Sequence, residues 1–175
     1  DVTFQNGSAS NAAAIGSYGN ITIHGGAFLN NSATNNGGAI ANRDATSGDP
    51  DPPTLVIRGT EFRDNSAGTR GGAIYARERS ELDIHSAHFS ANSAGEKGGA
   101  ISSRGAAQLH VVSSTFERNS SLGTSSDGSG GAILIEDAND TYSQNLVISN
   151  SSFRGNTAFQ SGGAIRFVAD LSGGT

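Results

Sequence analysis

Phe89-Ser90-Ala91-Asn92-Ser93-Ala94-Gly95-Glu96-Lys97-Gly98-Gly99-Ala100-Ile101 is a pattern that the chain repeats along its length. With Leu82-Asp83-Ile84 ahead of it, the unit reads LxI, then FxxN(S/T)A, then GGAI. Upstream it appears as Ile21-Thr22-Ile23, Phe28, Asn31-Ser32-Ala33 and Gly37-Gly38-Ala39-Ile40, and again as Leu55-Val56-Ile57, Phe62, Asn65-Ser66-Ala67 and Gly71-Gly72-Ala73-Ile74. Downstream come Leu109-His110-Val111, Phe116, Asn119 and Gly130-Gly131-Ala132-Ile133, then Leu146-Val147-Ile148, Phe153, Asn156-Thr157-Ala158 and Gly162-Gly163-Ala164-Ile165. The first unit is imperfect: Gly7 stands where Asn is expected after Phe4, and the tetrapeptide is Ala12-Ala13-Ala14-Ile15. Insertions fall only after GGAI or before it. The longest, 41–54, carries Asp44, Asp49, Asp51 and all three prolines, which cannot donate to a strand ladder, so it leaves the stack as a loop.

Phe62, Phe89 and Phe116 lie 27 residues apart, too close for a strand, a crossover helix and a second strand with their loops. In LxI and GGAI the apolar residues alternate or close a short run, as in strands with one buried face. Each unit therefore supplies three short strands separated by Gly, Asn and Ser turns. A coil that returns to pair each strand in parallel with its counterpart in the next unit satisfies the backbone. The expected fold is all-β: a single-stranded parallel β-helix, a right-handed β-solenoid of about six coils rising about 4.8 Å per coil. Residues 1–175 read as one solenoid segment, uncapped at both ends. Open strand edges predict either continuation of the repeat array or end-to-end self-association.

The stack gives each recurrent residue a task. Phe28, Phe62, Phe89, Phe116 and Phe153 point inward with the Leu and Ile of LxI and the Ile of GGAI, forming columns along the axis. Asn31, Asn65, Asn92, Asn119 and Asn156 share one turn, where Asn tolerates left-handed backbone angles and its amide bonds along the stack. The paired glycines fit a tight corner through positive φ or close backbone approach, and the Ala after them fills a narrow interior. These Phe and Asn columns are a structural ladder.

Composition narrows the functional classes. With 25 Gly, 3 Pro and 34% hydrophobic residues, a helical domain is disfavoured, and the regular placement of the apolar residues argues against disorder. A net charge of -5 with only 11 Lys+Arg argues against a nucleic-acid partner. No apolar run approaches the roughly 20 residues of a membrane span, so this segment is not expected to insert in a membrane. The absence of Cys removes disulfides and thiolate metal sites. Asn6, Asn20, Asn30, Asn119, Asn139 and Asn150 open N-x-S/T sequons.

The GGAI and FxxN tetrapeptides, as in Gly71-Gly72-Ala73-Ile74 with Phe62-Arg63-Asp64-Asn65, resemble the repeat of chlamydial polymorphic membrane proteins. The resemblance covers almost the whole chain. Members of that family are autotransporter-type surface proteins whose β-helical passengers act as adhesins, so the resemblance implies a surface-exposed or secreted solenoid.

Outward columns follow from the register. Arg43, Arg77 and Arg104, followed by Glu136, form a candidate ligand ladder able to grip sulfated or carboxylated glycans through bidentate contacts. The adjacent column, Asp44, Glu78, Gly105 and Asp137, is placed to neutralise it. Asp44, Asp49 and Asp51, and later Asp137 with Asp140, are weaker candidates for oxygen ligation of calcium, without an EF-hand spacing. His24, His85, His88 and His110 face outward, with Asp83 beneath His110 as a candidate pair. Polysaccharide-active β-helices gather carboxylates on consecutive coils. Here the columns after Phe run Leu29, Arg63, Ser90, Glu117, Arg154 and Asn30, Asp64, Ala91, Arg118, Gly155, with no carboxylate cluster.

The expectation is an extracellular or cell-surface structural and adhesive β-solenoid, part of an adhesin or subunit of a fibre, with no catalytic residue and no cofactor. Its expected partners are further coils or copies of itself and a cell-surface receptor or glycan. A non-catalytic glycan-binding module and a polysaccharide-active enzyme are the alternatives.

Overall fold

The computed structural model describes residues 1–43, 52–105, 108–124, 129–136 and 145–168. Every strand pairs in parallel with its counterpart one coil away, giving four sheets that run along a common stack. In successive middle coils the Phe sheet contains Glu61–Arg63, His88–Ser90 and Thr115–Glu117. The Ser-Ala sheet contains Ser66–Ala67, Ser93–Ala94 and Ser120–Ser121, and the GGAI sheet Ile74–Arg77, Ile101–Arg104 and Ile133–Glu136. The LxI sheet contains Thr54–Arg58, Glu81–His85 and Gln108–Val112. Among the described residues three sheets have six strands and the LxI sheet has five, which makes a parallel β-solenoid of about six coils.

The coil has four strands where the sequence pattern predicts three. FxxN(S/T)A reads as one extended segment, but Asp64 takes φ 57 and the chain turns there, separating Glu61–Arg63 from Ser66–Ala67. The left-handed residue is also one place earlier than expected. Asn30, Asp64, Ala91, Arg118 and Gly155 adopt φ between 52 and 59, whereas the ladder asparagines that follow them do not. The preceding residue makes the turn, which frees the Asn side chain to enter the interior.

The two glycines of GGAI solve different problems. Gly71 sits at φ +64, which side-chain-bearing residues rarely adopt. At Gly72 the constraint is space: a Cβ would lie 2.0 Å from the Gly99 carbonyl oxygen of the next coil. Beyond them Ala73 and Ile74 are fully buried.

The core is a set of columns. Phe4, Phe28, Phe62, Phe89, Phe116 and Phe153 stack face to face, with successive ring centroids 4.7 to 4.9 Å apart and interplanar angles of 4° to 11°. Leu55, Leu82 and Leu109, then Ile57, Ile84 and Val111, fill the parallel columns from the LxI sheet. Phe4 joins the aromatic stack although its unit lacks the Asn. The Phe position therefore holds its register in a coil whose later corner has changed.

Candidate functional site

The asparagine column lies inside the solenoid. Asn31, Asn65, Asn92 and Asn119 are buried. Each amide nitrogen donates to the Oδ1 of the next Asn, at 3.0 Å for Asn31 to Asn65 and Asn65 to Asn92, and 2.9 Å for Asn92 to Asn119 and Asn119 to Asn156. The same nitrogen donates to the Phe carbonyl of the preceding coil, as Asn92 does to Phe62 at 3.0 Å. Each Oδ1 also accepts the backbone N–H of the previous ladder Asn. The amides of Asn31, Asn65, Asn92 and Asn119 are buried with both amide hydrogens engaged, so they can stack coils but cannot bind a ligand.

The outer face of the GGAI sheet is different. Ile74 and Ala76 point into the core, so alternation sends Tyr75 and Arg77 outward. The register brings Arg43, Arg77, Arg104 and Glu136 into one column. The three arginines are not equivalent. Arg77 is held by Glu78, with Nε 3.1 Å from Oε1. Arg104 faces Glu136 at 3.6 Å. Arg43 lies over the Tyr75 ring, 5.9 Å from its centroid, and among the described residues has no acidic partner.

Glu136 does not close the column as a solvated charge. It is 8% exposed and collects three cations: Lys97 Nζ at 2.7 Å, Arg70 Nε at 3.5 Å and Arg104 Nε at 3.6 Å. Lys97 is itself buried. Arg70 and Lys97 precede the paired glycines of their coils and share a bridge column of their own. The corner turns their side chains back over the sheet. Of this cluster the sequence showed only the Arg104 and Glu136 column, since Arg70 and Lys97 belong to a different column of the repeat.

At the LxI sheet, Asp83 is the register partner of His110 as predicted. Its carboxylate pairs elsewhere, 2.7 Å from His85 Nε2 on its own strand and 3.6 Å from Arg58 Nη2. Residues two apart on a strand share a face, and here that contact is made in preference to the inter-coil one. His88 Nδ1 meets Thr115 Oγ1. Among the described residues no group of three or more His, Asp or Glu is placed to hold a metal ion. Asp44, Asp49, Asp51, Asp137 and Asp140 lie outside the described residues, as does Asn139. Of the other sequons, Asn119 is fully buried in the amide ladder, whereas Asn6, Asn20, Asn30 and Asn150 are exposed.

On the Phe sheet the predicted columns are in place, Leu29, Arg63, Ser90, Glu117 and Arg154 being successive partners. Glu61 and Asp64 both pair with Arg63, and Glu117 with Arg118.

At the first two coils the outer GGAI face is recessed. Gly16 and Ala41 stand where later coils carry Tyr75 and Ser102. The recess of about 250 Å³ is lined by these two residues with Asn11, Ala12, Ser17, Tyr18 and Arg43.

The fold defines a parallel β-solenoid whose repeat motif is spent on stacking and whose variable chemistry is on its outer faces. Three consecutive stretches, residues 59–77, 86–104 and 113–136, match the family model described as the Chlamydia polymorphic membrane protein repeat. The chain thus carries this repeat through its central coils. No curated protein and no solved structure matches it.

Proposed function

We propose that the chain is a non-catalytic adhesive segment of a cell-surface solenoid, presenting its outer faces and corners to a partner on another cell. The observation that carries this reading is the polymorphic membrane protein repeat in three consecutive coils, with its recurrent Phe, Asn and Gly-Gly-Ala-Ile residues inside the stack or at its corners. Such a design leaves a long surface free to vary without disturbing the fold. The carboxylates described on the outer faces support it further. Asp83, Glu61, Asp64, Glu78, Glu117 and Glu136 each contact a cation of the protein. Glu81 and Glu96, which form no ion pair among the described residues, belong to different segments, the LxI strand and the turn before GGAI, whereas acid-base hydrolysis uses a pair of carboxylates flanking the substrate.

The test is adhesion of protein-coated beads to cultured epithelial cells, run beside a reducing-end assay on a polysaccharide panel. Saturable attachment, competed by soluble protein and without new reducing ends, is the expected result. Attachment no better than that of beads carrying an unrelated β-solenoid, or sustained polysaccharide cleavage, would overturn the reading.

A further inference from the structure

We propose that the recess over Gly16 and Ala41 is a subsite for one acidic sugar residue of a carboxylated or sulfated glycan. The inference rests on the adhesive reading and gives it a ligand class.

Three features of the recess point to such a ligand. First, Arg43 borders the recess and, among the described residues, has no acidic partner. Its guanidinium is held over the Tyr75 ring, 5.9 Å from the centroid, in a cation–π arrangement that orients the group and leaves the charge available. Arg77 and Arg104, in the same column, are engaged by Glu78 and Glu136. A planar guanidinium matches carboxylate or sulfate oxygens through paired N–H donors.

Second, Tyr18 lines the recess and is 64% exposed, so its ring is open to a ligand there. A tight turn fixes its backbone: the Gly19 N–H donates to Ser17 Oγ at 3.0 Å, and Ser17 Oγ donates to the Gly19 carbonyl at 3.2 Å. A ring on a fixed turn offers an apolar face and a hydroxyl at low entropic cost, which suits the mixed apolar and hydroxylated surface of a sugar.

Third, Asn11 accepts from Asn36 Nδ2 at 3.2 Å, so the Asn11 amide nitrogen remains as a donor at the rim. The volume, about 250 Å³, is below the roughly 300–1,000 Å³ of pockets that enclose a drug-sized ligand. It fits one ring of a chain lying across the face. An acidic peptide would supply the carboxylate but would make little use of Tyr18.

Biolayer interferometry on the immobilised protein tests the subsite with heparin, hyaluronan, neutral dextran and poly-glutamate. Heparin carries sulfate and carboxylate, and hyaluronan carboxylate alone, so the pair separates the two anionic sources. Binding of at least one acidic glycan, with neither dextran nor poly-glutamate bound, is expected. Arg43→Gln and Tyr18→Ala should each weaken it about tenfold or more, while Arg77→Gln changes it less than about twofold; circular dichroism checks that all three fold. No acidic glycan bound, an equal loss from Arg77→Gln and Arg43→Gln, or a Tyr18→Ala variant that binds like the parent would overturn the subsite. Bead adhesion to cells that persists without glycan binding would sink the subsite and leave the adhesive reading standing.

Discussion

Asn92 Nδ2 donates to Asn119 Oδ1 at 2.9 Å across 27 residues of sequence, and both side chains are fully buried. That contact ties one coil to the next at a point where the backbone turns. Because the Asn92 Oδ1 already accepts from Asn65 through both Nδ2 and backbone N–H, each amide couples the coils on either side of it.

Replacing Asn92 with Asp preserves shape and reverses half the chemistry. The carboxylate could still accept from Asn65, but its other oxygen would face the Phe62 carbonyl and Asn119 Oδ1, where the amide donated. A buried charge set against acceptors should cost about 3 kcal/mol or more. Desolvation and these acceptors raise the new carboxyl's pKa in the folded state. The folded variant then holds its proton more tightly than the unfolded chain, so its stability is greatest in acid and is lost as pH rises. Urea unfolding of Asn92→Asp at several pH values checks both size and sign.

Gly72→Ala and Gly59→Ala separate steric exclusion from backbone strain. The new Cβ at position 72 would sit 2.0 Å from Gly99 O, backbone that is itself locked to the next coil. At position 59, φ is +62 but nothing lies within 4 Å, and the equivalent corners carry Ser86, Ser113 and Asn150 with φ of 50, 50 and 49. Gly59→Ala should cost about 1–2 kcal/mol, whereas Gly72→Ala should prevent the coil from closing. Thermal unfolding followed by circular dichroism distinguishes them.

The ion cluster should respond asymmetrically. Glu136→Gln leaves Lys97, Arg70 and Arg104 gathered without a carboxylate, a loss of about 3–5 kcal/mol. Lys97→Met leaves Glu136 with two arginines and should cost less. By contrast, Asp83→Asn on the LxI face, where the pair with His85 is partly solvated, should change stability by under about 1 kcal/mol. Equal losses from Glu136→Gln and Lys97→Met in urea unfolding would contradict the arrangement.

What the sequence disclosed and what it hid divide along physical lines. Inward residues recur at fixed spacing because each must pack on its own copy, so the Phe column and the parallel register from Phe28 to Phe153 were readable before any coordinates. The fourth strand was hidden because the turn is made by a residue with no consistent identity: Asn30, Asp64, Ala91, Arg118 and Gly155 hold the same left-handed position. The outer face was legible as a column but not as an energy. Glu136 and Lys97 lie 39 residues apart and belong to different positions of the repeat, so no periodicity joins them. Among the described residues Arg43 and Arg77 differ through their neighbours, Tyr75 beneath the one and Glu78 beside the other.

Hydrogen exchange of the side-chain amides of Asn65, Asn92 and Asn119, followed by NMR, tests most directly the claim that the repeat motif stacks coils rather than meeting a ligand. Protection comparable to that of the backbone amides of Glu81–His85 and Gln108–Val112 is the predicted result. Exchange at the rate of a free asparagine side chain would contradict it.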